Sequence, residues 1–320
     1  MIAAAPITFD RVSGRLEGAG MVERAAMIAL QAGAKISGLF EHRGFSIGCK
    51  AVRSMLVERD VIVRLNGDAA FAFPFGDGYW SMLLDRNFVY EPELEQFLKG
   101  VAEVDYTFVD CGANFGMWSV LVSSRPFGGH AAIAVEASPA NFARLERNAR
   151  LNGGRFKVLN RAIGGTTGGT ARISGKKHEA LSIVPDGGPG RGEEVAIIAL
   201  DSLLDEGLVA PSRRLVVKLD VEGMEIEAIK GGRRMGQADT VIVCEEHGSD
   251  REHTVSRFIM NETPYRVFVL DPETGGFERL VDLATLDRIK VASSIGYNVF
   301  ATTSPFWEER LKSTKSPARH

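Results

Sequence analysis

Apolar and polar positions along the chain fall into two regimes. From Tyr106 to Thr302, short apolar runs rich in Val, Ile and Phe recur between stretches of helical periodicity. The runs are "YTFVD" (106–110), "AAIAVE" (131–136), "FKVLN" (156–160), "LVVKLD" (215–220), "TVIVCE" (240–245), "YRVFVLD" (265–271) and "YNVFAT" (297–302). Such alternation predicts βαβ units and a mainly parallel sheet, and runs apolar on both faces predict central strands covered by helices on each side. Between two of them, "SPANFARLERNARLNGG" predicts a helix with Ser138 as N-cap, Pro139 in the first turn and Gly153 at the stop. The segment from Ile163 to Leu200 breaks the alternation, and its Gly, Pro and Thr content predicts hairpins and loops in place of another helix.

Residues before about 104 follow a different pattern. "MVERAAMIALQAGAKISGLF" has helical periodicity, and "DVIVRLNGDAAFAFPF" is two β-rich runs around Asn66-Gly67, a hairpin signal. "YEPELEQFLKGV" predicts a helix leading into the first central strand. The division expected is therefore 1–104 as an N-terminal α+β extension that encloses substrate, makes oligomer contacts or is purely structural. Residues 105–304 form the main domain, and 305–320 a C-terminal helix with a frayed tail.

Composition narrows the function. The 320 residues carry a formal charge of −3, so no global positive field gathers nucleic acid or an anionic membrane. No secretory leader or apolar run of about 20 residues is present, which places the chain in the cytoplasm as an expectation. Cys49, Cys111 and Cys244 are widely spaced without a CxxC pair, against both a disulfide framework and a structural zinc site.

The chemistry begins at "FVDCGANFG" (108–116), a strand, a glycine turn and a helix start whose amides face a ligand. A dinucleotide fingerprint needs G-x-G-x-x-G, whereas counting from Gly112 gives Asn114 and Met117 at the later positions. Asp110 adds a charge argument, because a carboxylate here repels a pyrophosphate and attracts an ammonium or sulfonium group. Glu136 closes the next strand and suits both hydroxyls of an adenosine ribose. These residues favour S-adenosylmethionine over a nicotinamide dinucleotide.

With these motifs in place, the chain resembles the FkbM family of class I S-adenosylmethionine-dependent methyltransferases over roughly Tyr90 to Val269. The resemblance lies in "YEPE" (90–93), "VDCGANFG" (109–116), "VEASPANFARLERNARLNG" (135–153), "NRAIGG" (160–165), "ALDSLL" (199–204) and "VKLDVEGMEIEAIKGG" (217–232). It implies a doubly wound, seven-stranded Rossmann-like sheet with an antiparallel last strand, and O-methylation of a sugar, glycan or secondary-metabolite hydroxyl. It implies that Asp110, Gly112, Asn114 and Gly116 surround the methionine part, Glu136 the ribose, and Arg161 with Ala162 the adenine edge, with Ala113, Ala137 and Ser138 also among the cofactor-binding residues. Cys111, Met117 and Trp118 depart from the family's usual pattern, as does the glycine-heavy insertion between Gly164 and Ala199.

For an alcohol acceptor, a base that removes the proton assists in-line methyl transfer. Lys218, Asp220 and Glu222 alternate along an apolar run, the last two at its carboxyl end, where open α/β sheets bind ligands. Asp220 is a candidate for both cofactor binding and catalysis. Glu222 is a candidate base or a helix cap. The next run ends in "CEEHG", bringing Glu245, Glu246 and His247 to the same rim, and His247 is the first candidate base because an imidazole titrates near working pH. No carboxylate cluster demands a metal. Trp80, Tyr90 and Trp118 are candidate sugar platforms. The expected partner is a small-molecule or glycan hydroxyl, without nucleic acid or a membrane span and with room for a homo-oligomer. The competing readings are a nicotinamide-dependent oxidoreductase and a non-catalytic adenosyl-binding module.

Overall fold

In a computed structural model of the chain, residues 5–38, 44–177, 180–185, 193–210, 213–290, 292 and 296–314 are described. They form two compact units, Met1–Tyr90 with Arg150–Gly154, and Glu91–Ala149 with Arg155–His320. The sequence pattern suggested a division at 104/105; the compact units part after Tyr90.

The first unit contains β1 (Ile7–Asp10), β2 (Leu16–Glu17), α1 (Met21–Gly38), α2 (Phe45–Ser54), β3 (Asp60–Arg64), β4 (Ala70–Pro74) and a 3₁₀ turn at Trp80–Leu84. Its sheet has the order β2-β1-β3-β4, with β1 and β3 parallel. The alternation of the sequence places Ile7, Phe9, Val61, Val63, Phe71 and Phe73 in its core. The expected hairpin joins β3 to β4, but through a five-residue loop, since Arg64 pairs with Ala70. Leu65 N donates to Ala69 O at 2.9 Å and Asp68 N to Asn66 Oδ1 at 2.8 Å, an Asx turn in place of a tight two-residue turn. A cleft of about 390 Å³ lined by Arg11, Lys35 and Arg86 lies in this unit. Its guanidinium groups serve the backbone: Arg11 Nη2 donates to the carbonyls of Asp85, Arg86 and Phe88, and Arg86 Nε to that of Arg11.

The second unit begins with α3 (Pro92–Gly100), β5 (Tyr106–Cys111), α4 (Met117–Val122), β6 (Ala131–Glu136), α5 (Pro139–Leu151) and β7 (Lys157–Asn160). Next come β8 (Ala162–Gly164), β9 (Thr170–Lys177), β10 (Ala180–Pro185), β11 (Glu193–Ala199), α6 (Ser202–Asp205), β12 (Arg214–Leu219), α7 (Glu225–Lys230) and α8 (Arg233–Gln237). It closes with β13 (Thr240–Glu246), α9 (Thr254–Glu262), β14 (Arg266–Asp271), β15 (Gly276–Arg279), α10 (Ala284–Ile289), β16 (Tyr297–Thr302) and α11 (Pro305–Ser313).

All seven predicted strands lie in one sheet of order β15-β14-β16-β13-β12-β5-β6-β7. β16 runs antiparallel to both β13 and β14, and β15 is an eighth strand added to the expected seven. Every residue of β5 is buried, as a strand covered on both faces requires. The predicted helix start at Ser138 is present: Asn141 N donates to Ser138 Oγ at 3.4 Å and Pro139 opens α5. Between β7 and α6 the glycine-rich segment makes a separate sheet, β10-β9-β11-β8, in which β9 pairs antiparallel with both neighbours. Residues 39–40, 178–179, 186–192 and 315–320, parts of the predicted first helix, insertion and tail, lie outside the described residues.

Topology positions the site. The chain steps outward from β5 to β6 and β7, then crosses to β12 and β13 on the other side of β5. The strand order therefore reverses between β5 and β12, and their carboxyl ends open a crevice of the kind in which doubly wound sheets bind ligands.

Candidate functional site

Acidic groups at the strand ends define this crevice, each anchored by the helix or loop that follows it. Asp110, at the end of β5, is buried, and its Oδ2 accepts from Ser119 N at 3.2 Å and Ser119 Oγ at 2.7 Å. The carboxylate thus holds the first turn of α4, a favourable place for negative charge. Burial pushes its pKa up to about 6, against the opposing pull of Lys218. Glu246 repeats the arrangement below the rim of β13, accepting from Ser256 N in α9 at 2.9 Å.

Glu136, ending β6, is also buried. Its Oε2 accepts from Asn114 N at 2.7 Å and its Oε1 from Ser138 N at 2.8 Å, so one carboxylate ties the turn after β5 to the turn after β6. Burial raises its pKa to about 7 despite these two bonds. Asn160 Nδ2 holds the same turn by donating to the carbonyls of Glu136 at 2.9 Å and Ala137 at 3.0 Å. Ala113 N and Gly112 N donate to Val135 O at 3.0 and 2.9 Å.

The glycines of the turn are set by contacts within the protein. Gly112 has φ 79°, and a Cβ on it would lie 1.7 Å from the Asp220 carbonyl oxygen. Only glycine allows the turn after β5 to approach the turn after β12 so closely. At Gly116, with φ 87°, a Cβ would meet Leu145 Cδ1 at 2.4 Å.

β12 ends at Leu219, so Lys218, Asp220 and Glu222 do not share one continuous strand. Lys218 Nζ nevertheless lies 2.9 Å from Asp220 Oδ2 and 3.8 Å from Glu91 Oε1. Burial opposes the ammonium, but the charges of Asp220, Glu91 and Asp110 hold its pKa well above the ordinary lysine value. Burial alone would raise Asp220; Lys218 and a hydrogen bond from Glu245 hold it below the usual range. Glu245, raised well above the carboxyl range by burial and by the Asp220 charge, keeps the proton that it donates to Asp220. Glu222, half-buried and at φ 52°, is pushed to about 7 by burial and then by Asp220, Glu225 and Glu136. No side chain caps α7; Glu225 Oε1 instead braces the turn before it, accepting from Val221 N at 3.0 Å and Gly223 N at 3.3 Å. His247 is exposed, just past the end of β13.

The crevice thus brings Asp110, Gly112, Ala113, Asn114, Glu136, Ser138 and Asp220 to adjoining strand ends, each held by the local bonds described above, with Glu222 beside them. Arg161 is exposed with Nη1 on the Asn160 carbonyl, and Ala162 packs in the small second core with Ala171, Ile173 and Val195. Trp80 and Trp118 are buried. Sequence reasoning put Glu245 at the rim without a role and left Glu91 out of the site. Trp118 Nε1 donates to Glu91 Oε2 at 3.1 Å, and Asn298 Nδ2 bridges Glu91 Oε2 at 3.1 Å and Glu93 Oε1 at 3.0 Å. Glu91, Asn114 and Glu222 are three of the four non-glycine residues with positive φ among the described residues, a strain that collects at ligand sites. No group of three or more His, Cys, Asp or Glu among the described residues is arranged to hold a metal ion.

The doubly wound sheet, with its crevice where the strand order reverses, is a Rossmann-like fold. Residues 110–267 match the family model of the methyltransferase FkbM domain, which marks this part of the chain as a methyltransferase domain. Hexuronic acid methyltransferase AglP of Haloferax volcanii is 24% identical over 214 residues, which span 65% of this chain and 83% of that protein. Among solved structures, methyltransferase FkbM from Methylobacillus flagellatus KT is 17% identical with a TM-score of 0.40; the match covers 61% of this chain but 43% of that one. Precorrin-6y C5,15-methyltransferase from Geobacter metallireducens GS-15 is 15% identical with a TM-score of 0.36, covering 65% and 86% of the two chains.

Proposed function

We propose that the chain transfers a methyl group from S-adenosylmethionine to a hydroxyl oxygen of a sugar or glycan. The carrying observation is the charge balance of the crevice: Glu91, Asp110 and Asp220 face the single ammonium of Lys218. Excess negative charge suits a ligand that carries a sulfonium and an ammonium and disfavours a pyrophosphate. Glu136 fits the other end of such a ligand, because its carboxylate, held by the Asn114 and Ser138 amides and by the Asn141 side chain, keeps acceptor capacity for a ribose hydroxyl. A hexuronic acid as the substrate named for a relative supports the sugar class.

When bound, S-adenosylmethionine supplies an electrophilic methyl group, so the protein's task is to place the acceptor oxygen in line behind it. Asp220, with its charge fixed by Lys218 and Glu245, faces the cationic end of the donor. Its lowered pKa makes it a weak base. Glu222, titrating near 7, is better matched to take the acceptor's proton. His247 is the second candidate, favoured by its place at the rim beside Asp220.

The test is methyl transfer from donor labelled in the methyl group to hexose and hexuronic acid glycans, with products sorted by alkali. An alkali-stable methyl ether supports transfer to a hydroxyl, whereas an alkali-labile ester moves the acceptor to a carboxylate. S-adenosylhomocysteine binding without transfer to any glycan favours the non-catalytic module. Among variants, at saturating S-adenosylmethionine, Glu222→Gln should remove an inflection near pH 7 from the rate profile that His247→Ala leaves in place; the reverse assigns the base to His247.

A further inference from the structure

α1 buries Met27, Leu30, Ala34 and Ser37, one face of a helix in the first unit. Its other side is apolar as well. Met21, Val22, Ile28 and Ile36 are 89%, 63%, 67% and 61% exposed, and Ala25, Ala29 and Ala32 are exposed between them. No charged residue lies between Arg24 and Lys35. Among the described residues, every exposed large apolar side chain except Val281 belongs to this first unit. A helix with a second, exposed apolar face needs a second surface to cover it.

We infer that the outer face of α1 is a homodimer interface, in which it packs antiparallel against α1 of a second copy across a two-fold axis. The spacing of the face identifies the occupant. Positions 21, 25, 28, 29, 32 and 36 follow steps of 4, 3, 1, 3 and 4, the same in either direction. A two-fold axis midway between Ile28 and Ala29 sets Met21 opposite Ile36, Ala25 opposite Ala32 and Ile28 opposite Ala29. Small residues meet where the helices approach most closely, at an interaxial distance of about 8 Å, and Ile28 fills the space over Ala29. Val22 falls opposite Lys35, whose aliphatic stem covers it while the ammonium stays in water. Such a contact is isologous and closes at two copies.

The area is sufficient. The four large side chains expose roughly 500 Å² per copy, so pairing removes about 1,000 Å² before the alanines are counted, which reaches the range of specific interfaces. The alanines also weigh against a lipid occupant, because they offer little apolar depth to a bilayer and leave room for a helix.

Sedimentation equilibrium of the full chain at micromolar concentration tests the interface. The expected mass is twice 34.7 kDa, insensitive to salt, and Ile28→Glu should weaken dimerisation at least a hundredfold while leaving circular dichroism unchanged. A second measurement reads the geometry. Cys49, Cys111 and Cys244 are buried, so a short bis-maleimide reports on introduced thiols. A mixture of Ala25→Cys and Ala32→Cys chains should cross-link, whereas Ala25→Cys alone should not, its two thiols being about 10 Å apart along the axis. A monomeric wild type, a dimer indifferent to Ile28→Glu, or cross-linking of Ala25→Cys to itself overturns the proposal. So does a monomer that floats with phosphatidylcholine and phosphatidylglycerol vesicles and loses them on Ile28→Glu.

Discussion

Replacing Glu136 by Gln changes little volume and removes one charge, and its consequences can be worked through from the bonds at that residue. The carboxylate accepts amides from both Asn114 and Ser138. A glutamine has one carbonyl oxygen, so its NH₂ must face one of these N–H groups, leaving a buried donor unsatisfied at a cost of about 1–3 kcal/mol. In the proposed complex the same change also removes an ionised acceptor from one ribose hydroxyl, a bond of about 1.5–3 kcal/mol. The unsatisfied donor weakens the free and bound protein alike, so the lost ribose bond sets the change, and S-adenosylhomocysteine should bind about ten- to a hundredfold more weakly. A pH signature accompanies the loss. Because burial holds Glu136 near 7, the wild type must ionise it to accept the hydroxyls. Affinity should therefore fall about tenfold per unit below pH 7, and binding at pH 6 should release close to one proton. Titration calorimetry at several pH values, in buffers of different ionisation enthalpy, measures both effects. Wild-type affinity flat from pH 5.5 to 8, together with a variant within threefold of it, would refute the reasoning.

Other outcomes follow from the same contacts. Gly112→Ala combines an unfavourable φ with a clash against the Asp220 carbonyl, so denaturant unfolding should show a loss of more than about 3 kcal/mol. Lys218→Met leaves Asp220, Glu91 and Asp110 without their cation; the expected cost is about 3–5 kcal/mol, larger at pH 8 than at pH 5, and equal losses at both would show that Lys218 does not neutralise them. Asp110 and Glu136 have native pKa values raised to about 6 and about 7, so their contribution is fully present below the unfolded values and is lost as pH rises through the native ones. The melting temperature of the ligand-free chain should accordingly fall between pH 5 and pH 8, as scanning calorimetry would record; a rise across that window would contradict those shifts.

The sheet was legible because each central strand announces itself locally, as a run of β-branched and aromatic residues bounded by turns. β15 was not, because only Phe277 of its four residues is buried and an edge strand this short has no period to read. The turn after β5 and Glu136 were visible for the same local reason, standing in one βαβ unit. Glu91 was hidden by distance: it is held by Asn298, 207 positions later, and the trace of that bond in the sequence is one amide inside the apolar run "YNVFAT". Alternation placed Lys218 beside Asp220 correctly although the strand stops at Leu219, since the ion pair itself bridges the end. The partner of Asp110 was equally unmarked, because a serine nine residues on is an ordinary residue in a helix until the fold folds it back.

The near-contact of Gly112 with the Asp220 carbonyl also bears on mechanics. Two turns from opposite halves of the sheet touch backbone to backbone, with Asp220 N donating to Cys111 O at 3.1 Å, so neither can shift without displacing the other. A shift of the first turn is therefore carried to the second, and in the proposed reaction donor and acceptor would sense each other through this joint.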